Sequence, residues 1–206
     1  MKKVIIIIAL ALATAVCANA QVRAEVALNS SALKFSSGSS EYTAEAGFGP
    51  GVKLFYQFLG NESWGLEAGL GYMGRAITTK QVDLSIFGNG QATMKVSSIE
   101  VPVHVLFNLR LGNVLAITPL IGVYADYHVA GKNMASVSTI STTTDPFEGS
   151  NGLKRFDVGG DDELMLTLFN KFTLGVGVQY GFMNMCKSND VSIKPATVYF
   201  ALGWKF

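Results

Sequence analysis

The last ten residues, "TVYFALGWKF" (residues 197–206), alternate strictly between two kinds of side chain. A period of two is that of a β-strand, in which successive side chains point to opposite faces. One face of this segment carries only large apolar side chains, which are Val198, Phe200, Leu202, Trp204 and Phe206. The chain is therefore predicted to end on a strand with an aromatic face, and the fold depends on where that face is buried.

Seven earlier segments alternate in the same way, at about residues 22–29, 48–58, 64–75, 98–109, 115–128, 156–168 and 172–182. The connections between them alternate in length. Residues 60–63, 110–114 and 170–171 form short turns, whereas 29–46, 76–97, 130–155 and 184–196 are long and rich in Ser, Thr, Gly, Asn and Asp. Short turns at one end and long loops at the other are typical of antiparallel barrels of the outer membrane. The sequence predicts an all-β, up-and-down, eight-stranded transmembrane β-barrel.

The first twenty residues have the features of a secretory signal peptide. Lys2 and Lys3 precede an apolar stretch, and Ala18-Asn19-Ala20 matches a cleavage site. A lipoprotein signal at Cys17 is less favoured, because Val16 is larger than the residue that usually precedes a lipidated cysteine. We expect residues 1–20 to be cleaved after Ala20 and residues 21–206 to form the barrel domain.

Composition excludes several other classes. Without Lys2 and Lys3 the 16 basic residues fall to 14, against 15 acidic ones, so no basic excess indicates nucleic-acid binding. Cys186 is the one cysteine after the signal peptide, so no disulfide framework is expected. No run of 18 or more apolar residues follows the signal peptide, so the sequence does not indicate a membrane-spanning helix.

Two features indicate that the apolar face points outward into lipid rather than inward as in a soluble barrel. Aromatic residues lie near both ends of the strands, as in the girdles of membrane barrels. The predicted girdle residues are Phe48, Phe58, Trp64, Tyr72, Phe107, Tyr127, Phe156, Phe172, Tyr180, Trp204 and Phe206. The opposite face mixes glycine with charges of both signs, which suits a lumen that eight strands leave just wide enough for side chains. The predicted polar network of the lumen is Arg23, Glu25, Lys53, Glu67, Arg75, Glu100, His104, Tyr124, Asp126, His128, Asp157 and Lys205.

A family resemblance supports this fold. The run "IEVPVHVLFNLRLGNVLAITPLIGVYADYHVAGK" (99–132), followed by "LKRFDVGG", "FTLGVGVQYGF" and the terminal "VYFALGWKF", resembles the Bacteroidetes outer-membrane β-barrel proteins of the porin-family or PorT-like type. The resemblance covers nearly all of the mature chain, although each motif is degenerate. It implies a small eight-stranded barrel of the OmpA/OmpX type in the outer membrane, and it implies little about the role of a single member.

The segment "GGDDELMLTLF" (159–169) departs from the pattern. Strict alternation must direct either Asp162, or both Asp161 and Glu163, into lipid. A single outward Asp is the cheaper choice, because acids on the lipid face cost less than a midplane Arg or Lys. A bulge at Gly159-Gly160 is the alternative, and we predict a bulge or a shortened hydrogen-bond ladder over 158–164.

Candidate chemistry is sparse. His104 and His128 are predicted to face the lumen, where His128 near Asp126 and Asp157 could form a metal or pH-responsive site, although polar filling is favoured. A Ser-His-acid site for lipid chemistry would need a histidine near the lipid face, and none is predicted. The acids Asp157, Asp161, Asp162 and Glu163 lack the spacing of an EF-hand loop. We expect no catalytic, metal or cofactor site.

The sequence thus predicts a non-enzymatic outer-membrane protein with a structural or surface-binding role, whose lumen is plugged by polar side chains. The long loop 130–155 is the expected contact region. A narrow pore for small solutes is the alternative, and a lipid-modifying enzyme is a weaker one. Expected partners are outer-membrane lipid and the barrel-assembly machinery, which reads terminal strands that end on a residue such as Phe206.

Overall fold

The computed structural model describes residues 21–37, 40–43, 45–84, 88–112, 114–137, 140–149, 152–187 and 192–206. The predicted signal peptide lies outside these residues and stays a prediction. Every strand pairing is antiparallel. The strands are β1 (Gln21–Ser37), β2 (Ser40–Thr43), β3 (Glu45–Gly60), β4 (Trp64–Leu84), β5 (Gly88–Phe107), β6 (Leu109–Leu111), β7 (Leu115–Val137), β8 (Ile140–Thr144), β9 (Phe156–Leu168), β10 (Phe172–Gly181) and β11 (Ser192–Lys205). No helix in the described ranges is long and apolar enough to cross a membrane.

Eight of these strands form a closed barrel in the order β1-β3-β4-β5-β7-β9-β10-β11, and β11 returns to β1. The closing ladder runs without interruption from Arg23↔Lys205 to Ser36↔Ser192. The short β6 continues β5 against β7, while β2 and β8 fold back on β1 and β7. The predicted eight-stranded all-antiparallel barrel is confirmed, and the terminal strand is the one that closes it.

The strands extend much further toward the long-loop end than the apolar pattern predicts. Much of 29–46 and 76–97 is strand rather than loop, because β1 pairs with β11 as far as Ser36↔Ser192, β4 with β5 to Leu84↔Gly88 and β5 with β7 to Gly90↔Val137. Backbone hydrogen bonds sustain these hairpins beyond the apolar alternation, as Thr- and Ser-containing strands can. Strands β4, β5, β7 and β8 therefore form a sheet that projects past the barrel, here called the projecting sheet.

The apolar face of the strands points away from the barrel interior. On β11, Phe200 and Leu202 are 65% and 59% exposed, whereas Tyr199 and Ala201, which alternate with them, are buried. Val22 is an exception, because it is buried although its alternation with Ala24 and Val26 predicts an outward position. It lies at the start of β1, where its carbonyl accepts a hydrogen bond of 2.9 Å from the backbone N–H of the terminal Phe206.

The predicted bulge at 158–164 is wrong. Strand β9 pairs residue by residue with β7 along its whole length and with β10 from Gly159 to Leu168, and Asp162 lies between Ile121 and Val178. Its exposure alternates without a break, so Asp161 and Glu163 are buried and Asp162 is exposed. One outward carboxylate preserves every ladder hydrogen bond, whereas a bulge would leave backbone groups unpaired in lipid.

Deleting Phe206 should lower the amount of folded barrel in cells. The ring is 67% exposed on the outer face, so lipid burial contributes about 2 kcal/mol, and the deletion also removes the hydrogen bond to Val22. Heat-modifiable migration on gels measures the folded fraction, and Phe206→Tyr is the matched control that keeps an aromatic end. Equal folded fractions in the deletion and the control would contradict this role.

Candidate functional site

The barrel interior is the candidate site, because its side chains are charged and almost fully buried. Of the twelve predicted lumen residues, eleven are buried and Lys205 is partly buried near the short-turn end. Tight packing of this kind requires side chains of opposite charge to meet, since an isolated buried charge is costly.

His104 lies at the centre of the lumen between two carboxylates. Its Nδ1 is 3.1 Å from Oε1 of Glu67, and its Nε2 is 3.1 Å from Oδ2 of Asp161. A carboxylate only accepts hydrogen bonds. Each ring nitrogen is therefore placed to donate to one of the two carboxyls, and His104 joins β4 to β9 across the barrel.

Arg23 organises the end of the lumen near the short turns. Its guanidinium pairs with Glu25 and with Glu67, the latter at 2.5 Å, and lies 3.7 Å from Glu163. It also stacks over the ring of Phe55, with Cζ 4.1 Å from the ring centroid. One Arg therefore serves three carboxylates on β1, β4 and β9, which the fork of a guanidinium permits.

Lys53 and Arg75 continue the network toward the long-loop end. Nζ of Lys53 is 2.8 Å from Glu100 and 3.6 Å from Asp161. Arg75 pairs with Asp126 and lies 3.3 Å from Glu100. Together with His104, which lies between Glu67 and Asp161, these pairs connect Arg23 to Asp126 through one continuous chain along the lumen.

Four residues of this network are absent from the predicted set. Gln179 donates to Glu100 at 3.0 Å and to Asp161 at 3.1 Å, and the hydroxyl of Tyr199 donates to Asp161 at 2.9 Å and to Glu163 at 3.2 Å. The alternation of β10 and β11 places Gln179 and Tyr199 on the inner face, and that signal could have found them. Strand parity alone does not assign Asp161 and Glu163, because three successive acids fit either an outward Asp162, which is the cheaper choice, or the predicted bulge.

At the long-loop mouth Asp126 and Asp157 face each other as paired residues of β7 and β9. The hydroxyl of Tyr124 donates to Asp157 at 2.9 Å, and Nδ1 of His128 is 3.9 Å from Asp126. No group of three or more His, Cys, Asp or Glu side chains within the described ranges has the arrangement of a metal site. His128 instead stacks on Phe147, with ring centroids 5.7 Å apart.

Phe147 belongs to a hydrophobic cluster at the long-loop end, here called the cap. It brings together residues from β1, β4, β5, β11 and the two segments that precede β9 and β11, which are Leu33, Ile77, Val96, Phe147, Leu153, Met185, Cys186 and Ile193. Lys187 secures the first segment by donating to the carbonyl of Phe147 at 2.6 Å. The predicted contact loop 130–155 is thus only partly available for contact, because Phe147 and Leu153 in its second half are buried in the cap.

The lumen contains more carboxylates than cations. Seven acidic side chains in the described part of the chain are buried there, against three Lys or Arg side chains, with Lys205 partly buried in addition. Each of the three buried cations, Arg23, Lys53 and Arg75, consequently pairs with two or three acids.

The predicted girdle residues lie on the outward face, where Trp204 is partly buried and the other ten are exposed. Trp204 packs edge-on against Phe172, with ring centroids 4.5 Å apart. On β3, β4 and β10 an aromatic residue near the short turns is followed by aliphatic residues and then by an aromatic near the long loops, an arrangement typical of membrane-spanning strands.

A comparison with protein families matches residues 15–187 to the family described as "Outer membrane protein beta-barrel domain". The chain belongs to this family. It is accordingly an outer-membrane β-barrel protein, while the narrower PorT-like resemblance stays a prediction. A search of curated proteins found no significant match.

Solved structures of small outer-membrane barrels are similar to this chain in their overall fold. The attachment invasion locus protein Ail of Yersinia pestis has 15% identity and a TM-score of 0.46, with 89% of this chain and 98% of that chain covered. Neisserial surface protein A has 12% identity and a TM-score of 0.49, with 89% and 97% covered. OprG of Pseudomonas aeruginosa has 10% identity and a TM-score of 0.48, with 91% and 95% covered. Likeness at this level does not indicate what the present chain binds.

Proposed function

We propose that this barrel is a non-enzymatic outer-membrane protein that does not conduct solutes and that binds extracellular partners through its projecting sheet. The observation that supports it most is the ion-pair chain from Arg23 to Asp126, which crosses a lumen of only eight strands. The cap lies over the long-loop mouth of the same lumen. Because the lumen is filled, a binding partner would have to contact the outer surface of the protein.

The chemistry of the two histidines favours a non-enzymatic role over a lipid-modifying one. His104 is held by Glu67 and Asp161, and His128 stacks on Phe147. Within the described residues neither ring is hydrogen-bonded to a hydroxyl or thiol that it could activate as a nucleophile. Assay of lipid A modification in cells with and without the protein should show no difference.

Planar-bilayer recording tests the plugged lumen. We expect no stable open steps from purified, folded protein, because Arg23, Lys53 and Arg75 fill the interior together with their acidic partners. A heat-unfolded sample at the same protein-to-detergent ratio is the control for leakage. Reproducible steps of one size from the folded sample alone would support the narrow-pore alternative.

The projecting sheet supplies exposed strand edges that can pair with an extended partner segment. Beyond Thr78, β4 has a described pairing partner on one side only. A variant that lacks residues 80–91 and joins the strands through Asn-Gly keeps all β4–β5 pairs from Trp64↔Phe107 to Thr79↔Ala92. We expect it to fold normally and to lose adhesion of whole cells to a panel of immobilised proteins and glycans, and unchanged adhesion across the panel would contradict the binding role.

A further inference from the structure

The outward face of the barrel carries one feature that the proposed function does not use, the carboxylate of Asp162. It is the seventh residue of the thirteen in β9, midway between Phe156 at the long-loop girdle and Leu168 near the short turn. Its cross-strand neighbours are Ile121 and Val178, which are 60% and 50% exposed on the same face. The carboxylate therefore points into the hydrocarbon at mid-membrane depth.

Asp162 is also isolated in its chemistry. Among the described outward residues between the two girdles, no other side chain is ionised at neutral pH. The two acids that flank it in sequence, Asp161 and Glu163, face the opposite side of the sheet and are engaged in the lumen. An ionisable side chain inside a membrane is costly and indicates a functional contact by default.

The surface beside Asp162 is shaped to receive another molecule. Gly160, the preceding outward residue of β9, leaves a notch, because an added Cβ would meet only the ring of Phe182 at 3.4 and 3.8 Å. The next outward residue, Leu164, lines an apolar groove of about 330 Å³ on the side of the short turns. Its other outward walls include Ile117, Leu166, Leu174, Val176 and Phe200. Notch, carboxylate and groove form one continuous strip along β9, here called the β9 strip.

We propose that the β9 strip binds a second membrane-spanning protein that presents a Lys or Arg side chain on its own lipid-facing surface at mid-membrane depth. Charge complementarity identifies this partner, because an exposed cation in hydrocarbon is more costly than an exposed acid and both costs fall when the two side chains pair. Apolar side chains that flank the partner's cation would fill the groove. A second copy of this chain does not fit, since its described outward face offers no cation at that depth.

Site-specific photo-crosslinking in the outer membrane tests this interaction independently of the projecting sheet. A photoreactive residue at position 178, beside Asp162, should give one protein adduct of fixed mass, and the same residue at position 54 on the far side of the barrel should not. Asp162→Leu should reduce the adduct at least tenfold and Asp162→Glu should retain it. Heat-modifiable migration of the variants should equal that of the parent chain, because removing a lipid-facing charge does not unfold the barrel.

A charge exchange completes the test. Mass spectrometry of the adduct should identify a membrane-spanning protein with Lys or Arg at mid-depth. Asp162→Lys should abolish the adduct, and changing that partner residue to Asp should restore it. The proposal is overturned by an adduct at twice the mass of this chain, by adducts with lipid only, by no adduct, or by an adduct that persists in Asp162→Leu. None of these outcomes affects the adhesion assay of the projecting sheet, so the two proposals fail separately.

Discussion

Replacing Lys53 with methionine is expected to lower the free energy of unfolding by about 3–5 kcal/mol, the cost of breaking a buried ion pair by removing one partner. Lys53 is fully buried, and its ammonium lies between Glu100 at 2.8 Å and Asp161 at 3.6 Å. Methionine fills a similar volume, so the loss of charge, rather than a cavity, determines the result. Urea unfolding of the refolded barrel in lipid vesicles, followed by tryptophan fluorescence, measures the change.

The comparison variant is Asp161→Asn, and it should cost less than Lys53→Met. With seven buried carboxylates against three buried Lys or Arg side chains, the lumen tolerates the loss of an acid better than the loss of a cation. Lys53 keeps Glu100 in this variant, and His104 keeps Glu67. If Asp161→Asn lowered the free energy of unfolding more than Lys53→Met, the excess of buried carboxylates would not explain the stability of the lumen.

Lys171→Met is the matched control for the loss of a lysine. Lys171 is exposed in the turn between β9 and β10, and its Nζ lies 5.8 Å from the ring centroid of Trp204. An exposed cation in such a position contributes little, so a change within about 0.5 kcal/mol is expected.

The alternation of side chains was enough to predict the barrel and the direction in which most residues point. Twelve polar residues were assigned to the lumen from strand parity alone, and the structure places eleven of them in buried positions. The partners of each charge could not be predicted in this way. Lys53 on β3 reaches Asp161 on β9 across the lumen, and contacts between non-adjacent strands depend on barrel closure, stagger and tilt rather than on local pattern.

Two errors have a common physical origin in backbone hydrogen bonding. The apolar alternation predicts that β1 and β4 end where the apolar residues end. The backbone ladders of both strands nevertheless continue through polar residues. It also placed a bulge at Gly159-Gly160 to avoid an outward Asp, yet the ladder stays regular and Asp162 points outward. In both places continued pairing outweighs the preference of the side chains.

The cap was missed for a different reason. Phe147 and Leu153 lie in a polar segment without periodicity, so nothing local indicates that they are buried at 5% and 7% exposure. Their burial depends on contact with Leu33, Ile77 and Ile193, which arrive from strands distant in sequence.

The same Gly-to-Ala change on the two faces of the barrel should have opposite effects. Gly177→Ala on β10 is expected to lower the free energy of unfolding by about 1–3 kcal/mol, the usual cost of overpacking a filled interior. An added Cβ would overlap the ring and the hydroxyl of Tyr199. Tyr199 is fully buried, and moving it would break its hydrogen bonds to Asp161 and Glu163.

Gly160→Ala on β9 is the control, because this glycine faces outward and the added methyl would only touch Phe182. Alanine restricts the unfolded chain more than glycine does, so the variant should be unchanged or more stable by up to about 1 kcal/mol. The difference between the two variants reports only on the space around each glycine, since neither substitution changes a charge. If both variants were equally stable, the interior at Gly177 would have room to spare, and the plugged lumen proposed above would lose its main physical support.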